Sequence, residues 1–143
     1  MKKKILLKGC IIALLLSVTS VAAYDLKSNM TQLYTELSDV QKAFMVSDQE
    51  GVRKSITKFS KHAQNLLGNK KKFQAMLPKN KQYKVNETIM AAQIIDHNVK
   101  IILDAINNKY NQSGRVRREN SQVAYTYIEG ACFRCHNLVR DEY

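Results

Sequence analysis

Between Asp25 and Phe44 the apolar residues fall at Leu26, Met30, Leu33, Leu37, Val40 and Phe44. Steps of four and three draw one stripe along a helix, so the pattern predicts helix one over this segment. Ser47-Asp48-Gln49-Glu50 follows, with a serine hydroxyl spaced to accept from the Glu50 amide and a glutamate spaced to reach back, which predicts a capping box at Ser47 and the start of helix two. Its stripe is Val52, Ile56, Phe59, Ala63 and Leu66, and Gly68 stands where a residue of positive φ would close the helix. Residues 69–82 hold five lysines, the single proline Pro78 and scattered Phe73, Met76 and Leu77. They read as a longer connection that can carry a short helical turn and fold its apolar residues over one end of the core.

Helix three follows through Val85, Ile89, Ala92, Ile95, Val99, Ile102 and Ile106, and ends in the polar run Asn107 to Gly114. Helix four runs from about Val116 to Arg140, with Ser121, Ala124, Ile128, Cys132, Cys135 and Val139 on one face. No segment alternates in the manner of a strand. The expected fold is therefore all-α, an antiparallel up-down-up-down four-helix bundle with neighbours crossing at about twenty degrees.

The start of the chain reads differently. Met1 to Lys8 carries four lysines, Ile11 to Leu16 forms a short apolar centre, and the small residues Val21, Ala22 and Ala23 follow. This is the order of a signal peptide, 1–23, cleaved after Ala23, and its apolar run is too short for a comfortable membrane span. Cys10 in Leu7-Lys8-Gly9-Cys10 precedes the apolar stretch and would put a lysine beside the cleavage point, which argues against a lipoprotein. The remaining segment, 24–143, has the size of one domain with one core. It keeps 19 basic and 12 acidic residues, a net charge of +7. Such a charge suits an acidic partner protein better than nucleic acid, which an exported protein seldom meets. No stable membrane insertion is expected after cleavage.

The chemistry lies near the C-terminus, in Cys132-Phe133-Arg134-Cys135-His136. On a helix, Cys132 and Cys135 point the same way, so both thiols can add to the two vinyl groups along one haem edge, while His136 brings its imidazole under the iron. Gly130 and Ala131 are expected to leave room for the macrocycle. A structural zinc site needs four ligands, and the mature chain offers only two cysteines with His62, His97 and His136. His62 and His97 read as surface positions. A thioredoxin-like dithiol wants a strand-to-helix context, and a simple disulfide leaves His136 without a role. The expected cofactor is one covalent haem c.

In the expected bundle the start of helix one and the end of helix four share one end. At about 1.5 Å rise per residue, Met30 and His136 lie near the same level, so the Met30 thioether can complete the iron's coordination. Met90, a turn and a half inside helix three at that same end, is the alternative. Met45 and Met76 are less well placed. Met30 also reads as ordinary core filler.

The bundle with Cys-Phe-Arg-Cys-His near its C-terminus resembles the class II c-type cytochromes, the cytochrome c-prime group. Asp25-Leu26-Lys27-Ser28-Asn29-Met30-Thr31-Gln32-Leu33 resembles the opening of the soluble periplasmic four-helix b-type cytochromes. That second likeness is strong in helix one, loose through helix two, and returns at the end of helix four. It implies Met30 and His136 as the iron ligands and Arg140 as a partner of the haem propionates. The b-type relatives lack the two cysteines, and typical cytochrome c-prime proteins leave the distal iron site open, so the chain departs from each pattern in one respect. Leu33, Leu66, Phe73 and Phe133 are candidate walls of the pocket.

A His/Met haem has no open position for a substrate, which points to one-electron transfer in the periplasm between redox partner proteins, acidic ones above all, and not to an enzyme. The cytochrome c-prime likeness implies the alternative of a five-coordinate nitric oxide or carbon monoxide binder. A peroxidase would need a distal acid-base pair, and Glu36 and Asp39 read as solvated. Class II relatives are often dimers, which admits a homodimer here, although no residue marks an interface.

Overall fold

A computed structural model describes residues 21–140, with side chains from Leu26 onward. The expected signal segment, Cys10 included, lies outside the described residues except for the backbone of Val21 to Ala23, which continues into the first helix. Among the described residues every regular element is helical: α1 Val21–Met45, α2 Gln49–Leu67, α3 Lys70–Met76, a 3₁₀ segment Lys79–Lys84, α4 Val85–Ile106 and α5 Gly114–Val139. The expected helices three and four are α4 and α5. The 69–82 connection is more ordered than a single turn, because Asn69 caps α3 by accepting from Lys72 N at 3.0 Å. No described helix is long and apolar enough to cross a membrane.

The turn between α1 and α2 corrects the expected capping box. Ser47 has φ of 56° and is the left-handed residue that closes α1, with Ser47 N donating to Phe44 O at 3.1 Å and Asp48 N to Ala43 O at 2.9 Å. Asp48 is then the N-cap of α2, and its carboxylate accepts from Gly51 N at 2.9 Å. Gly68 also differs from expectation, since its φ is −72°. Glycine serves there for close approach, because a Cβ would stand 2.6 Å from the Gln64 carbonyl oxygen.

The stripes meet in one core in which Val40, Ile56, Phe59, Phe73, Ile95, Ile102 and Ile128 are almost completely buried. The closely packed pairs are α4 with α5, α1 with α2, and α2 with α4. Gln49 Nε2 donates to Ile106 O at 3.1 Å and Gln64 Nε2 to Asp96 Oδ1 at 3.2 Å, so α2 and α4 run in opposite directions. By contrast α1 and α5 are not a closely packed pair. Phe44 and Tyr125 bridge them edge to face, with ring centroids 5.9 Å apart.

Candidate functional site

The separation of α1 from α5 leaves a cavity of about 210 Å³ with one side toward solvent. Its walls are mostly apolar: Leu33 and Leu37 from α1, Phe59 and Leu67 from α2, Ala91 and Ile95 from α4. From α5 come Cys132, Cys135, His136 and Phe133, and from α1 comes Met30. Residues about a hundred positions apart in the sequence thus share one wall-to-wall space. A second, larger cavity of about 400 Å³ lies elsewhere, lined by Arg117, Arg118 and residues of the α1–α2 turn, and holds none of the expected site residues.

Three contacts fix the end of α5 that carries the motif. Lys84 Nζ donates to the Leu138 carbonyl oxygen, placing a cation where the helix leaves its last acceptors unpaired. Arg134 pairs with Glu87 of α4 at 4.0 Å, and Arg140 N closes the helix on His136 O at 2.9 Å. The helical register then puts Cys132 and Cys135 three residues apart on the cavity side, the first half-buried and the second buried, both as free thiols.

Burial pushes the Cys132 thiol up to about 11, with Cys135 and the Glu129 carboxylate adding to the shift, and burial raises the Cys135 thiol as well. Both sulfurs therefore carry their protons at neutral pH. Burial, and after it the charge of Arg140, lowers His136 below its ordinary value. The imidazole is thus neutral at pH 7 and keeps a nitrogen lone pair free to bind a metal. Beside the thiols, Tyr125 donates its hydroxyl hydrogen to Glu129 Oε1 at 2.9 Å, and burial with that carboxylate raises the phenol far above its usual range.

Comparison with known proteins gives no family model, curated protein or solved structure that matches this chain. The site is therefore read from its own residues. Among the described residues, no group of three or more His, Cys, Asp or Glu side chains could hold a metal ion by itself.

Of the methionines, Met30 alone among the four described lines this cavity. Met90 is 44 % exposed, Met45 lies at the second cavity, and Met76 packs on the core as the last residue of α3. Arg140 is exposed and not part of the wall, one turn beyond His136. Leu33 and Phe133 line the cavity as expected, whereas Leu66 and Phe73 are buried elsewhere in the core and Leu67 and Phe59 take their place. Gly130 faces away: it is exposed, and a Cβ there would meet nothing within 4 Å.

Two expectations outside the cavity are overturned. Glu36 is not solvated but only 2 % exposed. It accepts from Gln32 Nε2 at 3.0 Å and from His62 Nδ1 at 3.2 Å, with Lys58 Nζ at 3.6 Å. His62 is not a surface residue either, for its side chain is 16 % exposed and its Nε2 lies 2.9 Å from Asn29 Oδ1. Each helix read alone turns these groups outward, and only the packing of α1 on α2 brings them together. Asn29 and Glu36, seven residues apart beside the α1 stripe, and a lone histidine next to Ala63 were the available signal.

Proposed function

We propose that the cavity between α1 and α5 holds one haem c, attached through Cys132 and Cys135, and that the chain is an exported one-electron carrier resembling the cytochrome c-prime group. In this reading α1, α2, α4 and α5 form an antiparallel up-down-up-down bundle, and α3 with the 3₁₀ segment covers one end. The observation that carries it is the convergence of two free thiols, an imidazole and a thioether on one mostly apolar cavity. The donor set fits the group: two sulfurs for covalent attachment, one nitrogen and one sulfur for iron.

When bound, the haem supplies an iron that cycles between ferric and ferrous states. The protein's own residues do the rest. Cys132 and Cys135 would hold the haem covalently, each adding its sulfur and its proton across a vinyl double bond, an addition that needs no oxidant and releases nothing. His136 from α5 and Met30 from α1 would hold the iron, and together would tie α1 to α5 across the cavity. Leu33, Leu37, Phe59 and Ile95 would keep water from the closed side of the pocket, and apolar surroundings with sulfur ligation would favour the reduced form. Phe133 and Tyr34, 66 % and 75 % exposed on the cavity wall, offer the contact surface for a redox partner. Periplasmic residence follows from the signal segment together with covalent haem attachment.

The test is the optical spectrum of the exported protein, ferric and reduced, with and without carbon monoxide, beside Met30→Ala. The expected wild type shows the weak far-red sulfur-to-iron band and ignores carbon monoxide, and the variant loses both properties. A reduced wild type that is high-spin and binds carbon monoxide at once would make the chain a gas-binding protein instead.

A further inference from the structure

The polar seam between α1 and α2 stands directly behind the cavity wall of α1. Positions 30, 33, 34, 37, 38 and 41 of α1 face the cavity, while Asn29 and Glu36, seven residues apart, face α2 and meet there the two ring nitrogens of His62. The first half of α1 has little else to hold it. Leu26, Asn29 and Met30 are only half-buried, and the first buried residue of the helix among those whose side chains are described is Leu33. Apolar contacts resist separation but not rotation or sliding, because they are non-directional. Hydrogen bonds to a buried carboxylate are directional, and leaving them unmade is costly. A methionine has three rotatable bonds and holds no aim of its own.

We infer that His62 is a positioning residue for Met30: by tying Asn29 and Glu36 to α2 it fixes the rotation of α1 about its axis, and with it the aim of the neighbouring thioether into the cavity. The inference rests on the reading of Met30 as an iron ligand. Glu36 supplies the fixed end of the tie, since Gln32 and Lys58 hold its other oxygen. Asn29 supplies the end that matters, being the residue next to Met30. His62 touches neither the cavity nor its expected occupant, so its effect on the site must pass through α1.

The experiment uses the exported, haem-loaded protein and its His62→Ala, Asn29→Ala and Met30→Ala variants. Three quantities are read: the far-red sulfur-to-iron band, carbon monoxide uptake after reduction, and amide hydrogen exchange across residues 26–33 and 114–139. Both His62→Ala and Asn29→Ala should weaken the band and raise the fraction of iron without methionine by about fivefold, the factor that loss of one hydrogen bond implies. Exchange should quicken in 26–33 and stay unchanged in 114–139. Asn29→Ala leaves the His62–Glu36 pair intact, so it decides the matter if His62→Ala fails to fold. An Asn29→Ala protein with wild-type band, carbon monoxide response and exchange would overturn the inference while Met30→Ala still upheld the ligand. If Met30→Ala itself left the spectrum unchanged, the ligand reading would fall and this inference with it.

Discussion

Phe44 near the end of α1 and Tyr125 of α5 meet edge to face, their ring planes 75° apart, where these two otherwise separated helices close on each other. The contact bounds the cavity on the side away from the motif, since Tyr125 lines the cavity and Phe44 does not. Phe44→Ala removes the bridge and part of a half-buried ring. A loss of about 2 kcal/mol is expected, below the cost of truncating a fully buried phenylalanine. The midpoint of urea unfolding measures it, and a variant as stable as the wild type would show that the seam needs no bridge.

Tyr125 also makes the fold sensitive to alkali. Its phenol is raised first by burial and then by the Glu129 carboxylate that accepts its hydrogen. A group whose folded value lies above its unfolded value, about 10 for tyrosine, stabilises fully below the unfolded value, and that stability is lost as pH rises above it. Stability should therefore fall above about pH 10. Tyr125→Phe should flatten that fall while leaving the acid side unchanged, as thermal melts across the range would register. An equal alkaline loss in the variant would assign it to other groups.

The α1–α2 turn separates two roles that the sequence blurs. Asp48→Ala should cost about 1 kcal/mol, the usual value of an N-cap. Ser47→Gly should stabilise by about 0.5 kcal/mol, because glycine takes a positive φ without steric cost. If Ser47→Ala proved more damaging than Asp48→Ala, the serine hydroxyl would be the cap after all.

If the basic surface steers acidic redox partners, the bimolecular rate of electron transfer to an acidic acceptor should drop several-fold between low and physiological ionic strength. Stopped-flow mixing at graded salt reads this directly. A rate independent of salt would remove steering from the account.

The helices were legible because their apolar stripes repeat at helical spacing, and the stripe from Val85 to Ile106 reappears in α4 within a wider buried face that adds Ala91, Asn98 and Ala105. Thr88 is fully buried there while Ile89 is only half-buried. The meeting of Met30 with Cys132, Cys135 and His136 at one cavity was legible too, since a motif on the last helix and a methionine on the first need only an end-to-end argument to meet. What could not be read were relations set by two elements at once. Ser47 against Asp48 depends on how tightly α1 turns into α2. The burial of Glu36 and His62 depends on which faces of those helices touch. Leu67 replaces Leu66 on the cavity wall because a single residue's rotation decides between two adjacent leucines.

The most direct test of the account is the intact mass of the chain exported from cells that mature c-type cytochromes, taken after denaturation and extraction with acidified acetone. The expected result is a coloured polypeptide heavier than the processed chain by one whole haem, with no hydrogen lost, and a colourless one when Cys132 and Cys135 are both replaced by serine. A wild-type chain of unadorned mass, or one lighter by two hydrogens through a Cys132–Cys135 disulfide, would contradict it.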